Sequence, residues 1–171
     1  MRDIPEPEFD DPKEVYAFFG LAMYSANLLE ASLINLAVAL KLNKSKVISR
    51  EVFEASFGEM ESKTLGQLLK ATQKLAPIPS ELESVLESSL VKRNFLAHGF
   101  FRVNAEEFIH EAGQRAMIKE LSSMIELFRQ ADDLLTPVYM ALWKKYGVTE
   151  VFIQQELEGS YAQAEKRLGG L

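Results

Sequence analysis

The chain has 171 residues, 47% of them apolar, with 19 basic and 25 acidic side chains, a formal net charge of −6 and no cysteine. This length and apolar content fit one domain with a sizeable core, and the lack of cysteine excludes disulfides, thiolate nucleophiles and cysteine-bound metals. The acidic balance argues against general coating of nucleic acid, whose nonspecific affinity comes largely from Lys and Arg neutralising phosphates, so any such contact must be local.

Residues 1–11 read as a flexible acidic arm, in which acids mix with Pro5 and Pro7 and apolar residues stand alone. From Pro12, suited to a first helical turn, apolar residues at helical spacing predict a long first helix to about Leu42. A short helix follows over about Ser45 to Phe57, and Gly58 interrupts it. Ser62 then caps an amphipathic helix through TLGQLLKATQKL, which Pro77 and Pro79 end. Ser80, with Glu83 at capping-box spacing, opens a fourth helix that runs through ELESVLESSLVKRNFLA to Gly99. FFRVN reads as a loop. From Ala105 a long fifth helix sets Met117, Leu121, Met124, Phe128, Ala131 and Leu135 in one stripe, and Pro137 should kink or break it. A last helix, from about Thr149 to Leu168, carries many charges and a weak apolar face, which places it on the outside or across a partner. The expected fold is all-α: an antiparallel helical bundle of about five to six helices with long first and fifth helices, forming a single domain over residues 12–171. The N-terminal MRDIPEPEFDDPKE does not resemble a signal peptide, and no apolar run approaches the roughly 20 residues of a spanning helix, so the expected location is the cytoplasm, off the membrane.

Two residues break the apolar pattern. At 100° per residue, the fourth helix has an apolar face made by Leu82, Val85, Leu86, Leu90, Leu96 and Ala97, and Arg93 projects near its middle. The same projection sets Glu30 near the middle of a first-helix face made by Phe19, Met23, Ala26, Leu33, Ile34 and Ala37, with Asn27 beside it. An unpaired buried ion costs several kcal/mol, so these charges must pair, reach a water-filled groove or meet a ligand. Glu30 and Arg93 are expected to approach each other. A pair that fixes helix register, or one covered by a second subunit, accounts for these two residues as well as a functional site does. His98 stands at the last turn of the same helix, where the helix C-terminus favours an imidazolium. Asn94 and His98, four apart, share a face; Arg93 and His98 diverge by roughly 140° on an ideal helix. Arg93 and His98 can meet at a groove edge if the helix loosens near Gly99, or if two copies of the helix face each other across a dimer axis.

The stretch Arg93-Asn94-Phe95-Leu96-Ala97-His98, on a late helix of an all-α bundle and preceded by KTLGQLLK, resembles the Arg-x4-His signature of HEPN domains, over roughly Val15 to Leu135. The resemblance implies a homodimer whose motif helices face each other across a cleft and, in active members, a metal-independent endoribonuclease, without cofactor, in a toxin or defence setting with a possible protein inhibitor. His98 would then transfer protons, Arg93 would clamp the phosphate, Asn94 would orient either, and Glu30 with Asn27 would support Arg93, while Lys92 and Arg102 extend the patch that binds RNA. It also implies an alternative, since many members are noncatalytic nucleotide-binding or dimerising accessories. Gly99, Phe100 and Phe101 follow His98, so the tyrosine that accepts a nucleotide in some members has no counterpart here.

His110 has no cysteine or second histidine at ligand spacing, and no metal site is assigned. Asp132-Asp133 and Glu106-Glu107 read as solvated or helix-start charges. Walker loops, dinucleotide fingerprints and nucleophile elbows are missing. Trp143, before Lys144 and Lys145, reads as a packing residue or helix-end anchor. Leu21, Tyr24 and Leu28, opposite the first helix's charged face, are consistent with a subunit contact or a second layer of packing.

Overall fold

The computed structural model describes residues 3–9, 11–45 and 49–169, which form an antiparallel all-α helical bundle. Seven α-helices lie among them: α1 (Lys13–Lys44), α2 (Arg50–Glu61), α3 (Leu65–Leu75), α4 (Ser80–His98), α5 (Phe100–Val103), α6 (Glu111–Trp143) and α7 (Glu150–Leu168). The two long helices are α1 and α6. The helix expected over Ser45 to Phe57 starts later, at Arg50, where Ser49 caps it by accepting from the Val52 N–H; residues 46–48 of that expectation lie outside the described residues. Gly58 does not interrupt it, because a lone glycine costs a helix only about 1 kcal/mol. Thr64, not Ser62, caps α3, with Gln67 Oε1 accepting from its backbone N–H at 2.9 Å. Ser80 is the first residue of α4 rather than its cap, a place taken by Pro79, and Glu83 instead accepts from Gln73 Nε2 on α3 at 2.6 Å.

α1 packs most extensively on α6 and also touches α2, α3 and α4, so it is the axle of the bundle. The six-residue stripe expected on the fifth helix is the buried face of α6, joined by Ile118 and Ile125. Each fully buried side chain of this kind stabilises the fold by about 1.5–3 kcal/mol, which makes the α1–α6 seam the main source of stability. By length and composition alone α1 would also pass as a membrane span; here Ala22, Leu29 and Ala37 on it are fully buried among the other helices.

FFRVN is not a loop, since Phe100 to Val103 form one helical turn whose Phe100 is buried against Phe95 and Phe19. The long helix does not begin at Ala105. A 3₁₀ turn at Glu107–Ile109 comes first, and Gln114 Nε2 donates back to the Phe108 carbonyl at 2.7 Å. Gly113 is required there, because a Cβ would lie 2.1 Å from the Glu107 carbonyl oxygen. Pro137 does not break α6, which continues to Trp143. The acidic arm is not wholly solvated: Ile4 and Phe9 pack against the core, and Arg115 lies over the Phe9 ring at 5.6 Å. α7 is capped by Thr149, accepting from the Phe152 N–H, and none of its residues is buried.

Candidate functional site

The buried side of α4 is Leu82, Leu86, Ser89 and Leu96, spaced 4, 3 and 7. Arg93 falls four after Ser89 and three before Leu96, so it fills the stripe position that would otherwise hold an apolar residue. Its side chain is only 22% exposed, and Nη2 lies 3.7 Å from Glu30 Oε2 on α1, itself 21% exposed. That separation gives an ion pair without a direct hydrogen bond. Arg93 Nε is fully buried with no hydrogen-bond partner. A buried donor left unmade costs about 1–3 kcal/mol, so this guanidinium is held by charge and packing more than by directed bonds.

Glu30 lies at the edge of α1's buried face, not its middle. The face is centred on Ala22, Leu29, Leu33 and Leu36, while Phe19, Met23 and Ile34 are only partly buried. α1 is apolar over most of its circumference, so a helical projection leaves the direction of burial open, and contact with α6 sets it. Asn27 consequently faces solvent and does not support Arg93. Ala97, assigned to the apolar face of α4, is exposed as well.

Asn94 and His98 are exposed on the side of α4 away from Arg93, with Val91, 66% exposed, one turn before Asn94. α4 stays helical through His98, and Gly99 N–H bonds the Phe95 carbonyl at 2.8 Å, so the helix does not loosen there. Within one chain Arg93 and His98 therefore do not converge. Lys92 is engaged, with Nζ 3.4 Å from Glu120 on α6 and 5.9 Å over the Phe95 ring. Arg102 is exposed on α5, one turn after His98. Beside it an aromatic cluster reaches the surface: Tyr16, 56% exposed, packs on Phe101 at 5.6 Å and Phe108 at 5.4 Å. Projection gave no warning of that cluster, because its members come from α1, α5 and the 3₁₀ turn.

His110 occupies the N-cap position of α6 and is exposed. Asp132 is not simply a solvated charge; partly buried, it accepts from Ser32 Oγ and ties α6 to α1. Leu21, Tyr24 and Leu28 line an open cleft with Pro5, Arg129 and Asp133. Trp143 packs edge-on against Phe53 at 6.1 Å. No group of acidic or histidine side chains suited to a metal ion occurs among the described residues. No family model matches the chain, and comparison with curated proteins and with solved structures gives no match.

Proposed function

We propose that the protein is a HEPN-like endoribonuclease that works as a homodimer, cleaving RNA without a metal through His98 and Arg93. The observation that carries this reading is the division of labour along one helix end: Arg93 sunk against Glu30, with Asn94 and His98 open to solvent one face away. Attack of a ribose 2′-hydroxyl on the adjacent phosphorus forms a P–O bond and breaks the bond to the 5′ oxygen. One group must take the 2′ proton and another must deliver a proton to the leaving oxygen. Two His98 imidazoles, one from each copy, would provide both, and a dimer formed through the open side of α4 would bring them together. Arg93, always charged, would stabilise the additional negative charge on the phosphorane once an RNA phosphate displaces part of its contact with Glu30. Asn94, on the His98 face, would orient the imidazole, and Arg102 would contact a neighbouring phosphate. The cytoplasm is the location that goes with such a substrate, and a protein inhibitor would be its natural control.

A second reading has its own observation. Arg93 already has Glu30 as a counter-ion and points away from His98, as suits a noncatalytic module that binds a nucleotide or dimerises. Incubating a mixed RNA pool with EDTA and purified wild type or His98→Ala, with light scattering on both, separates the two. The enzyme predicts cleavage that survives chelation and falls by about 100-fold or more in a still-dimeric His98→Ala protein. A folded wild-type dimer that leaves RNA intact rules the enzyme out in favour of the module.

A further inference from the structure

A second feature lies away from α4. The last turns of α1, the end of α2 and one side of α3 enclose an open cleft of about 640 Å³. Its lining holds Lys41, Lys63, Lys70 and Lys74 against a single acid, Glu59, a formal +3. The whole chain carries −6, so everything outside the cleft sums to −9. Against that acidic balance the cleft is a local concentration of positive charge that attracts anions.

The cleft has two differently built walls. On one, Glu59 bridges Lys41 and Lys63, with Lys63 Nζ 3.4 Å from Glu59 Oε1, and holds both ammonium groups in place. On the other, Lys70 and Lys74 are exposed and make no ion pair among the described residues. They stand four apart on a helix that has no acid of its own. Like charges at that spacing repel each other, which offsets the favourable place of Lys74 in the last turn of α3. Gln67 adds a neutral donor, its Nε2, while the Ser62 hydroxyl in the same lining donates to the Glu59 carbonyl at 2.9 Å. Lysine ammonium groups bind phosphate oxygens as point charges, and a cluster of four suits a ligand that carries several negative charges close together.

We infer that this cleft binds the phosphate groups of a nucleotide polyphosphate or of a nucleic-acid single strand. It does so independently of the ribonuclease reading. Neighbouring phosphates bridge Lys70 and Lys74 while Lys41 and Lys63 hold the opposite side.

The probe is a fluorescent 2′-O-methyl oligonucleotide, which has no free 2′-hydroxyl, so binding is measured with no cleavage and a failure of the ribonuclease leaves the result unaffected. Anisotropy titrations at two salt concentrations compare the wild type with Lys70→Gln/Lys74→Gln. The expected result is wild-type affinity that falls with salt, at least a tenfold loss in the variant, and a slope of log affinity against log salt shallower by about 0.7 for each phosphate contact removed. The variant should melt close to wild type, because the repulsion it removes and the C-terminal charge of Lys74 it loses are of similar size. Inorganic tripolyphosphate separates the two sources: full competition at micromolar concentration identifies a nucleotide polyphosphate, and competition only at far higher concentration identifies a strand. Absence of binding by the wild type, or binding untouched by the double substitution, overturns the inference.

Discussion

Arg93 is costly to the fold where it stands. It takes a core position, leaves Nε without an acceptor and meets Glu30 only at ion-pair distance. Apolar replacements of such pairs are often neutral or stabilising, whereas removing one partner leaves the other uncompensated. Urea denaturation should therefore show Arg93→Met combined with Glu30→Gln within about 1 kcal/mol of wild type or above it. Glu30→Gln alone should cost about 1–3 kcal/mol, because the half-sunk guanidinium then loses the counter-ion it has among the described residues. If the double variant is instead the least stable of the set, the pair is structural and the case for Arg93 as a phosphate ligand weakens. Glu59 is the other informative charge. The bonds it accepts from Lys41 and Lys63 hold its carboxyl below the usual carboxylate range. A lowered pKa contributes stability above the unfolded value, near 4.3, and that contribution disappears as pH falls through the folded value. Nearly half of the Glu59 side chain is exposed, so the term is under about 1 kcal/mol and screened by salt. Stability curves for wild type and Glu59→Gln should separate above the unfolded value in low salt and converge as pH falls through the lower folded value; equal curves at all pH values would show that the bridge contributes nothing.

The helices differ in how much of them a sequence can declare. The axis of the α6 stripe was legible, because six apolar positions alternating by four and three leave one way to bury the helix, though its width, with Ile118 and Ile125, was not. The α4 stripe was legible in part: Leu82, Leu86 and Leu96, with Arg93 between, lie where projection set them, but Ser89 was not assigned to it and Ala97 faces solvent. On α1, apolar almost all round, projection chose the wrong axis, which moved Glu30 from edge to centre and turned Asn27 inward. Short elements failed differently: α5 carries neither cap nor period, and it forms because Phe100 and Phe101 find aromatic partners distant in sequence. Two glycines show how much tertiary context decides. At Gly113 a methyl group would collide with the Glu107 carbonyl, while Gly58, mid-helix in α2, has open space around it. Thermal melts should show Gly113→Ala less stable by at least about 1–3 kcal/mol, the cost of overpacking, and Gly58→Ala more stable by about 0.5–1 kcal/mol through a less flexible unfolded chain. A stable Gly113→Ala would mean that the 3₁₀ turn can move aside, and the entry into α6 would then be softer than its geometry implies.

Across the whole molecule, stability is concentrated in one seam and nearly absent from one end. Leu29 and Phe128 are fully buried along α1 and α6, and truncating either to Ala should cost about 2–5 kcal/mol. α7 has no fully buried residue, only Ile153 and Ala164 are partly covered, and Leu157, Tyr161 and Leu168 leave much of their apolar surface in water. Most helical stability comes from packing of an apolar face, and α7 has little of it beyond Ile153, so it belongs to the low-stability end of the molecule even though it is regular and capped. Native-state hydrogen exchange should find α7 amides opening with a free energy close to zero and α1 and α6 amides opening only near the global unfolding value. Raising protein concentration tests whether anything covers that helix. If assembly leaves α7 solvated, its exchange stays fast at every concentration while amides on the open side of α4, around Val91 and Asn94, slow as dimers form. Slowing in α7 with none in α4 would place the subunit contact at the wrong end of the molecule for two His98 side chains to meet, and the homodimeric ribonuclease would lose its geometry.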